Sequence, residues 1–341
     1  MKTKNNSIMC IAYGLTALAV YAITFVETDV NESALIARAN QKVQVCQIIC
    51  EIKNGNKVFK TVGTGTVITI PSGRKAVLTA AHVVDKTGSV RIEFFVKGRV
   101  IPSKVSKIIK YPRYLDKGAV DPESLKTDFA LIFCDIPDSI TPICLGPEDL
   151  SEIVKKANKH FFATFIGYGD HGVLGSNGFV AFKNTGRVKR YMGCPIELSP
   201  QTKLEIYANL LQESFSKDLA RQLRETASNI KSDDKVFYQV HKELNKRGLK
   251  FDFGPRHLPD AVILQIPPYR SRNVSVNMAG FTNHGDSGGP LFMGDSNNII
   301  GVCVAGRPGD EKSHHFTRYQ SFFNSYVNYD VFQWIEKNLS S

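Results

Sequence analysis

Three polar residues, each set among the small or apolar neighbours of a strand end or a tight turn, could together perform acyl transfer. Ser287 stands in Gly285-Asp286-Ser287-Gly288-Gly289-Pro290, a glycine-rich turn that leaves a hydroxyl exposed. A serine alone attacks nothing; it becomes a nucleophile when a base takes its proton and a third group orients that base. His82 closes Thr79-Ala80-Ala81-His82 after the apolar run Ala76-Val77-Leu78, and Asp128 heads Phe129-Ala130-Leu131-Ile132. The chain order His, Asp, Ser is one of the few in which this constellation recurs. Asp116 and Asp121 lie close by, but neither precedes an apolar strand, so Asp128 is the preferred carboxylate.

In that assignment Ser287 attacks a peptide carbonyl while His82 accepts its proton and later returns one to the departing amine. Asp128 holds the imidazole in the accepting tautomer. The oxygen that gains charge is expected to face the backbone N–H groups of Gly285 and Ser287, each such donor being worth about 3 kcal/mol.

The elements that must position these groups are mostly strands. The stretch from His82 to Asp128 is long enough to cross most of one six-stranded barrel at about 5 to 6 residues per strand plus turns. The stretch from Asp128 to Ser287 is longer than a second barrel needs, and its excess lies between Pro200 and about Asp260. There Leu204, Tyr207, Leu211, Phe215, Leu219 and Leu223 recur at the period of one helix face. A second helix is predicted to follow, capped by Ser232, striped with Val236, Phe237, Val240 and Leu244, and ended by Gly248. Such an insertion could pack on the second barrel, gate a cleft or dock a partner.

The sequence resembles the trypsin/chymotrypsin family of serine peptidases. The resemblance is carried by TAAH around His82, DFALI from Asp128, GDSGGP around Ser287 and Phe165-Ile166-Gly167-Tyr168-Gly169, which is similar to the strand and turn opening that family's second barrel. Gly301 to Gly306 falls where the family has the strand beside its substrate, and Phe332-Gln333-Trp334-Ile335 is similar to its C-terminal helix. The resemblance implies an all-β serine endopeptidase of two six-stranded antiparallel barrels, with an α-helical insertion in the second and a C-terminal helix. The corresponding divisions are a leader over 1–40, a first barrel over 41–150, a second over 151–325 and the helix over 326–341. A catalytically silent binding protein on the same scaffold, docking through the insertion, is the alternative.

The resemblance also implies a substrate pocket shaped by Phe281, Thr282, His284, Val304 and Gly306. Phe281 occupies the floor position where trypsin-like relatives have an acid, so small or medium apolar residues are the expected preference. Val83 stands where many relatives have a cysteine just after the histidine, which leaves packing alone to fix the imidazole. No basic residue followed by Ile-Val-Gly-Gly occurs, and the first strand is expected near Val43. Asp286, which pairs with a newly cut terminus in zymogens of that family, is therefore expected to be paired internally.

Composition fits a folded, exported protein. The chain of 341 residues is 43% hydrophobic, enough for a sizeable core. Lys2 and Lys4 precede an uncharged run from Ile8 to Val26, and acidic Glu27, Asp29 and Glu32 follow, an export signal that is either cleaved or kept as a membrane tether. Ala17-Leu18-Ala19 and Ala37-Arg38-Ala39 offer small-residue cleavage sites. A secreted or periplasmic body is expected. Apart from Cys10, six cysteines (Cys46, Cys50, Cys134, Cys144, Cys194 and Cys303) could bridge after export, although Cys303 reads as a buried thiol.

The net charge is +11, and Lys97, Arg99, Lys104, Lys107, Lys110, Arg113 and Lys117 face only Asp116 in one stretch. No nucleic-acid motif accompanies them, so a solvated basic face is expected rather than a specific nucleic-acid site. The expected partners are protein or peptide substrates. No cofactor is expected, and no metal, His314-His315 reading as a loop pair.

Overall fold

Strand after strand in the first half shows the alternation of a half-buried sheet. In Ser89–Val96 the side chains of Ile92, Phe94 and Val96 are buried while Glu93 and Phe95 between them are not. Ala76–Thr79 and Ala130–Cys134 instead read as continuous apolar runs and are buried almost throughout. The computed structural model describes residues 24–25, 32–115 (apart from 56, 72 and 86), 127–145, 161–169, 172–175, 178–181, 188–198, 263–265, 280–307 (apart from 283 and 295), 321–326 and 329–340. The helical insertion expected over 200–260, Asp116, Asp121, His314-His315 and most of the uncharged N-terminal run lie outside the described residues.

Two elements come before the first expected strand: β1 (Thr24–Phe25) and α1 (Glu32–Gln41). The first half then comprises β2 (Val45–Asn54), β3 (Lys57–Thr69), β4 (Ala76–Thr79), the short helix α2 (Ala81–Val84), β5 (Ser89–Val96), β6 (Arg99–Lys110), β7 (Ala130–Cys134) and β8 (Ile143–Cys144). The second half contributes β9 (Phe161–Gly167), β10 (Gly172–Gly175), β11 (Gly178–Ala181), β12 (Arg190–Leu198), β13 (Ile263–Gln265), β14 (Gly280–Phe281), β15 (Pro290–Met293), β16 (Ile299–Arg307), β17 (Ser321–Tyr326) and α3 (Tyr329–Leu339).

The all-β class is observed, with one closed six-stranded barrel in the order β12-β13-β17-β16-β15-β9. The first half is a seven-stranded sheet, β2-β5-β6-β7-β4-β3-β8, in which β2 also pairs with β3. This corrects the expected six strands. Ile143 and Cys144 add a seventh, parallel to β3 beside Ile68 and Thr69. Its core is formed by Ile48, Val67, Val77, Ile92, Phe94 and Ile132 with their neighbours.

The chain before Val43 is more structured than the sequence reading allowed. β1 lies between β10 and β14, and α1 buries Leu35 and Ala39. Arg38 of α1 stacks over the Tyr191 ring at 4.7 Å, so the expected cleavage site Ala37-Arg38-Ala39 falls inside a docked helix. Among the described residues, no helix is long and apolar enough to cross a membrane.

The basic stretch is partly compensated. Lys110 pairs with Asp85 at 2.5 Å, and Arg113 reaches Asp330 of α3 at 3.5 Å. α3 lies against the first half, Trp334 meeting the Tyr111 ring edge-on at 5.3 Å. The Arg74 side chain donates to the Asn338 carbonyl, satisfying one of the helix's last acceptors. Cys46, Cys50, Cys134, Cys144 and Cys303 are all unbridged, and Cys303 is buried as expected.

Residues 42–45 join the two halves. Lys189 donates its Nζ to the Lys42 carbonyl at 2.8 Å and to the Val45 carbonyl at 3.4 Å, while Lys42 Nζ donates to the Ser296 carbonyl and to Asn297 Oδ1. Burial holds the Lys189 ammonium at about 8, against its ordinary 10.5. Below pH 8 it is charged in both folded and unfolded chains. Between the two values the unfolded chain keeps a proton that the folded chain has released, so stability rises with pH there. Buried thiols act in the opposite sense: burial pushes Cys50 from 9.0 to about 12 and raises Cys46 and Cys134, so stability falls above pH 9. Unfolding by urea is therefore expected to show greatest stability between pH 8 and 9, with a gain from pH 7 on the order of 1 kcal/mol that Lys189→Met abolishes. A wild-type midpoint that declines steadily from pH 7 would contradict this.

Candidate active site

β4 delivers Thr79 and Ala80 to the start of α2, and α2 presents His82. The cap position is occupied by Ala80, which has no side chain to satisfy the orphan amides of the first turn. Asp128 does so from the start of β7: its Oδ1 accepts the His82 backbone N–H at 2.9 Å, and its Oδ2 accepts the His82 Nδ1–H at 2.6 Å. One carboxylate thus fixes both the backbone and the ring of the same residue. Its own side chain is 7% exposed, whereas the imidazole is 37% exposed, and with Nδ1 held by the carboxylate the second ring nitrogen is Nε2.

Ser287 is brought to this place by its backbone, and Thr64 of β3 is the residue that ties it there. Thr64 N donates to the Ser287 carbonyl at 2.8 Å, and its hydroxyl donates to the Gly285 carbonyl at 2.9 Å. The same hydroxyl accepts the Tyr168 N–H at 3.0 Å, and the Thr64 carbonyl accepts the Thr79 hydroxyl at 2.8 Å. A single buried threonine therefore connects the serine turn, the end of β9 and the last residue of β4 before His82. Gly288 packs against Thr79 and Ala80 themselves, with φ +84°. Of the three residues expected to act together, His82 and Asp128 are in direct hydrogen-bond contact, and Ser287 is partly exposed in the turn that Thr64 holds.

The turn also sets the direction of its amides. The Asp286 carbonyl accepts the Gly289 N–H at 2.9 Å, and in a trans peptide the Ser287 N–H points the opposite way. Gly285, at φ +93°, adopts a conformation that disfavours side chains. Among the described residues neither the Gly285 nor the Ser287 N–H donates to a backbone carbonyl. Asp286 is fully buried, and its Oδ1 accepts the Gly169 N–H at 2.8 Å, so the expected internal partner of this acid includes the amide of the turn after β9.

The five residues expected to shape a substrate pocket are spread over β14, the serine turn and β16. Phe281 ends β14, Thr282 is buried just beyond it, and His284 is exposed at the entrance to the turn. Gly306 pairs with Phe322 in β16–β17. Val304 is buried at the β16 irregularity between Cys303 and Ala305, where an extra residue re-aims a strand. Cys303 is bound to the turn on both sides, its carbonyl accepting the Gly288 N–H and its N–H donating to Gly289.

Closed-barrel topology, with the serine turn leading into one barrel strand and fastened to another, agrees with the fold that the resemblance implies. No protein-family model and no curated protein sequence matches this one. A collagenase structure is similar to it. That structure, titled HL collagenase, is 17% identical, covers 91% of this chain and 97% of its own, and superposes with a TM-score of 0.47.

Thr64 is the residue of this arrangement that the sequence reading missed. A threonine inside a strand signals nothing about which turn it will hold, and its partners lie more than a hundred positions away in Tyr168 and more than two hundred in Gly285.

Proposed function

We propose that this protein is a serine endopeptidase in which Ser287 forms the acyl-enzyme, His82 acts as general base and then acid, and Asp128 orients the imidazole. The double contact of Asp128 with His82 is the single observation that carries the reading. A carboxylate spent only on capping a helical turn has no need to meet Nδ1. One placed against both groups fixes a tautomer, and a fixed tautomer matters where Nε2 must accept a proton. The Gly285 and Ser287 amides form the oxyanion site. The β2–β3 pairing that accompanies the seven-stranded order supports closure of the first half as a second barrel around six of its strands.

Specificity follows from what the pocket lacks. Phe281 supplies no carboxylate at the floor position, and buried Thr282 and Val304 offer a small, nearly uncharged lining. Small or medium apolar residues before the scissile bond are the proposed preference. The enzyme acts outside the cytoplasm after export through the uncharged run from Ile8 to Val26, which is either removed or kept as a tether. No cofactor takes part in the proposed reaction.

A serine-directed aryl phosphonate tests the central claim. Mass spectrometry of the treated protein is expected to find the adduct on Ser287 in the wild type and none after His82→Ala under the same conditions. Equal labelling of the two proteins, or no labelling of a folded wild type, would instead favour a silent binding protein on this scaffold.

A further inference from the structure

We infer that Cys50 is a positioning residue for His82, its thiol and the Gly63 notch together clamping Val83 where a covalent staple follows the histidine in the resembled family. The inference rests on the peptidase reading and concerns how that reading's base is held. Cys50 Sγ, from β2, donates to the Val83 carbonyl at 3.1 Å. Val83 is the residue after His82 in α2, and α2 is only Ala81–Val84, too short to satisfy its own last carbonyls. Thr87 Oγ1 takes the Val84 carbonyl at 3.1 Å, and Cys50 takes the one before it.

The Val83 side chain is held as well. It lies over Gly63 of β3 so closely that a methyl at 63 would overlap Val83 Cγ1 and approach Cγ2 to 3.2 Å. Gly63 precedes Thr64, whose backbone holds the Ser287 turn. The clamp therefore ties the histidine turn to the strand that carries the nucleophile turn. Its thiol is buried and burial pushes it up to about 12, so it stays protonated and able to donate at neutral pH. Packing alone does not fix the imidazole, as the sequence had implied; a directed bond from the neighbouring strand contributes.

A hydrogen bond that sets the rotation of α2 acts on turnover rather than on substrate affinity, because it governs how Nε2 faces the serine. Cys50→Ala is expected to lower kcat about 10- to 100-fold with KM unchanged, the scale of a sub-ångström misplacement. Cys50→Ser retains a donor and is expected to recover kcat to within about threefold of wild type. A readout independent of turnover is the low-field proton resonance of the His82 Nδ1–H bonded to Asp128. It is expected to be sharp in wild type, broadened in Cys50→Ala and restored in Cys50→Ser.

If Cys50→Ala fails to fold, Gly63→Ala supplies the same test with the thiol intact: it displaces Val83, and the same loss of kcat and the same broadening are expected. Adding Val83→Ala to Gly63→Ala removes the overlap and is expected to recover part of both. The inference is overturned if Cys50→Ala keeps full kcat and a sharp resonance, if Cys50→Ser falls as far as Cys50→Ala, or if Gly63→Ala is silent. A wild type that turns over no peptide but shows the resonance pattern across these variants defeats the peptidase reading and not the clamp.

Discussion

Asp128→Asn is expected to lower kcat by about four orders of magnitude while leaving KM and thermal stability close to wild type. Asparagine is nearly isosteric, and its carbonyl oxygen can still accept the His82 backbone N–H that Asp128 Oδ1 takes at 2.9 Å. The difference falls on the other atom. Asp128 Oδ2 accepts the His82 Nδ1–H at 2.6 Å, whereas an amide nitrogen there can only donate. The ring then carries its proton on Nε2 and presents Nδ1 to the amide, so Nε2 has no lone pair with which to accept the serine proton. Asp128→Ala gives the contrast: it loses the cap of α2 as well, and is expected to cost about 1 kcal/mol of stability in addition to the activity. Steady-state kinetics and urea unfolding of the two variants separate these effects. An asparagine variant that turns over within tenfold of wild type would remove Asp128 from the catalytic assignment.

The parts of this site that were legible in the sequence are those encoded by neighbours in the chain. Ala76-Val77-Leu78 is apolar throughout because β4 is buried on both faces, and the small Ala80 and Ala81 that follow permit a tight turn into α2. Ala130 to Cys134 reads the same way in β7, and the glycines around Ser287 announce a turn. Phe161–Gly167 and Tyr329–Leu339 form a strand and a helix that include Phe165-Ile166-Gly167 and Phe332 to Ile335, which the resemblance implied as a strand and a helix.

What was not legible depends on distance along the chain or on an assumption about its beginning. Thr64 and Cys50 look like ordinary strand residues, and only the closure of the sheets brings them against Gly285, Ser287 and Val83. α1 was read as leader because it follows the uncharged run from Ile8 to Val26; its Leu35 and Ala39 find a buried face only once β12 exists. β8 consists of two residues, too short for alternation to register, and is defined by its parallel pairing with β3.

Gly288→Ala is expected to destabilise the protein by about 3 to 4 kcal/mol and to abolish peptidase activity together with phosphonate labelling. Two effects combine at this position. With φ +84°, an L-residue is held in a region that costs roughly 1 to 2 kcal/mol. A methyl there would also overlap Thr79 Oγ1 and the Thr64 carbonyl and come to 3.0 Å from Ala80 N. Two of these three are backbone atoms of the strand-and-turn framework that places His82, and the third is bonded to Thr64, so none can yield without moving the base or the nucleophile turn. Gly294→Ala is the matched control, because it has φ +58° with nothing within 4 Å of the added carbon. It should show the backbone penalty alone, about 1 kcal/mol, with activity retained. Urea midpoints and labelling of the two variants then divide strain from collision. Equal losses at both positions would mean that Gly288 is retained for its dihedral angle only and that the serine turn is not pressed against the histidine-bearing strand end.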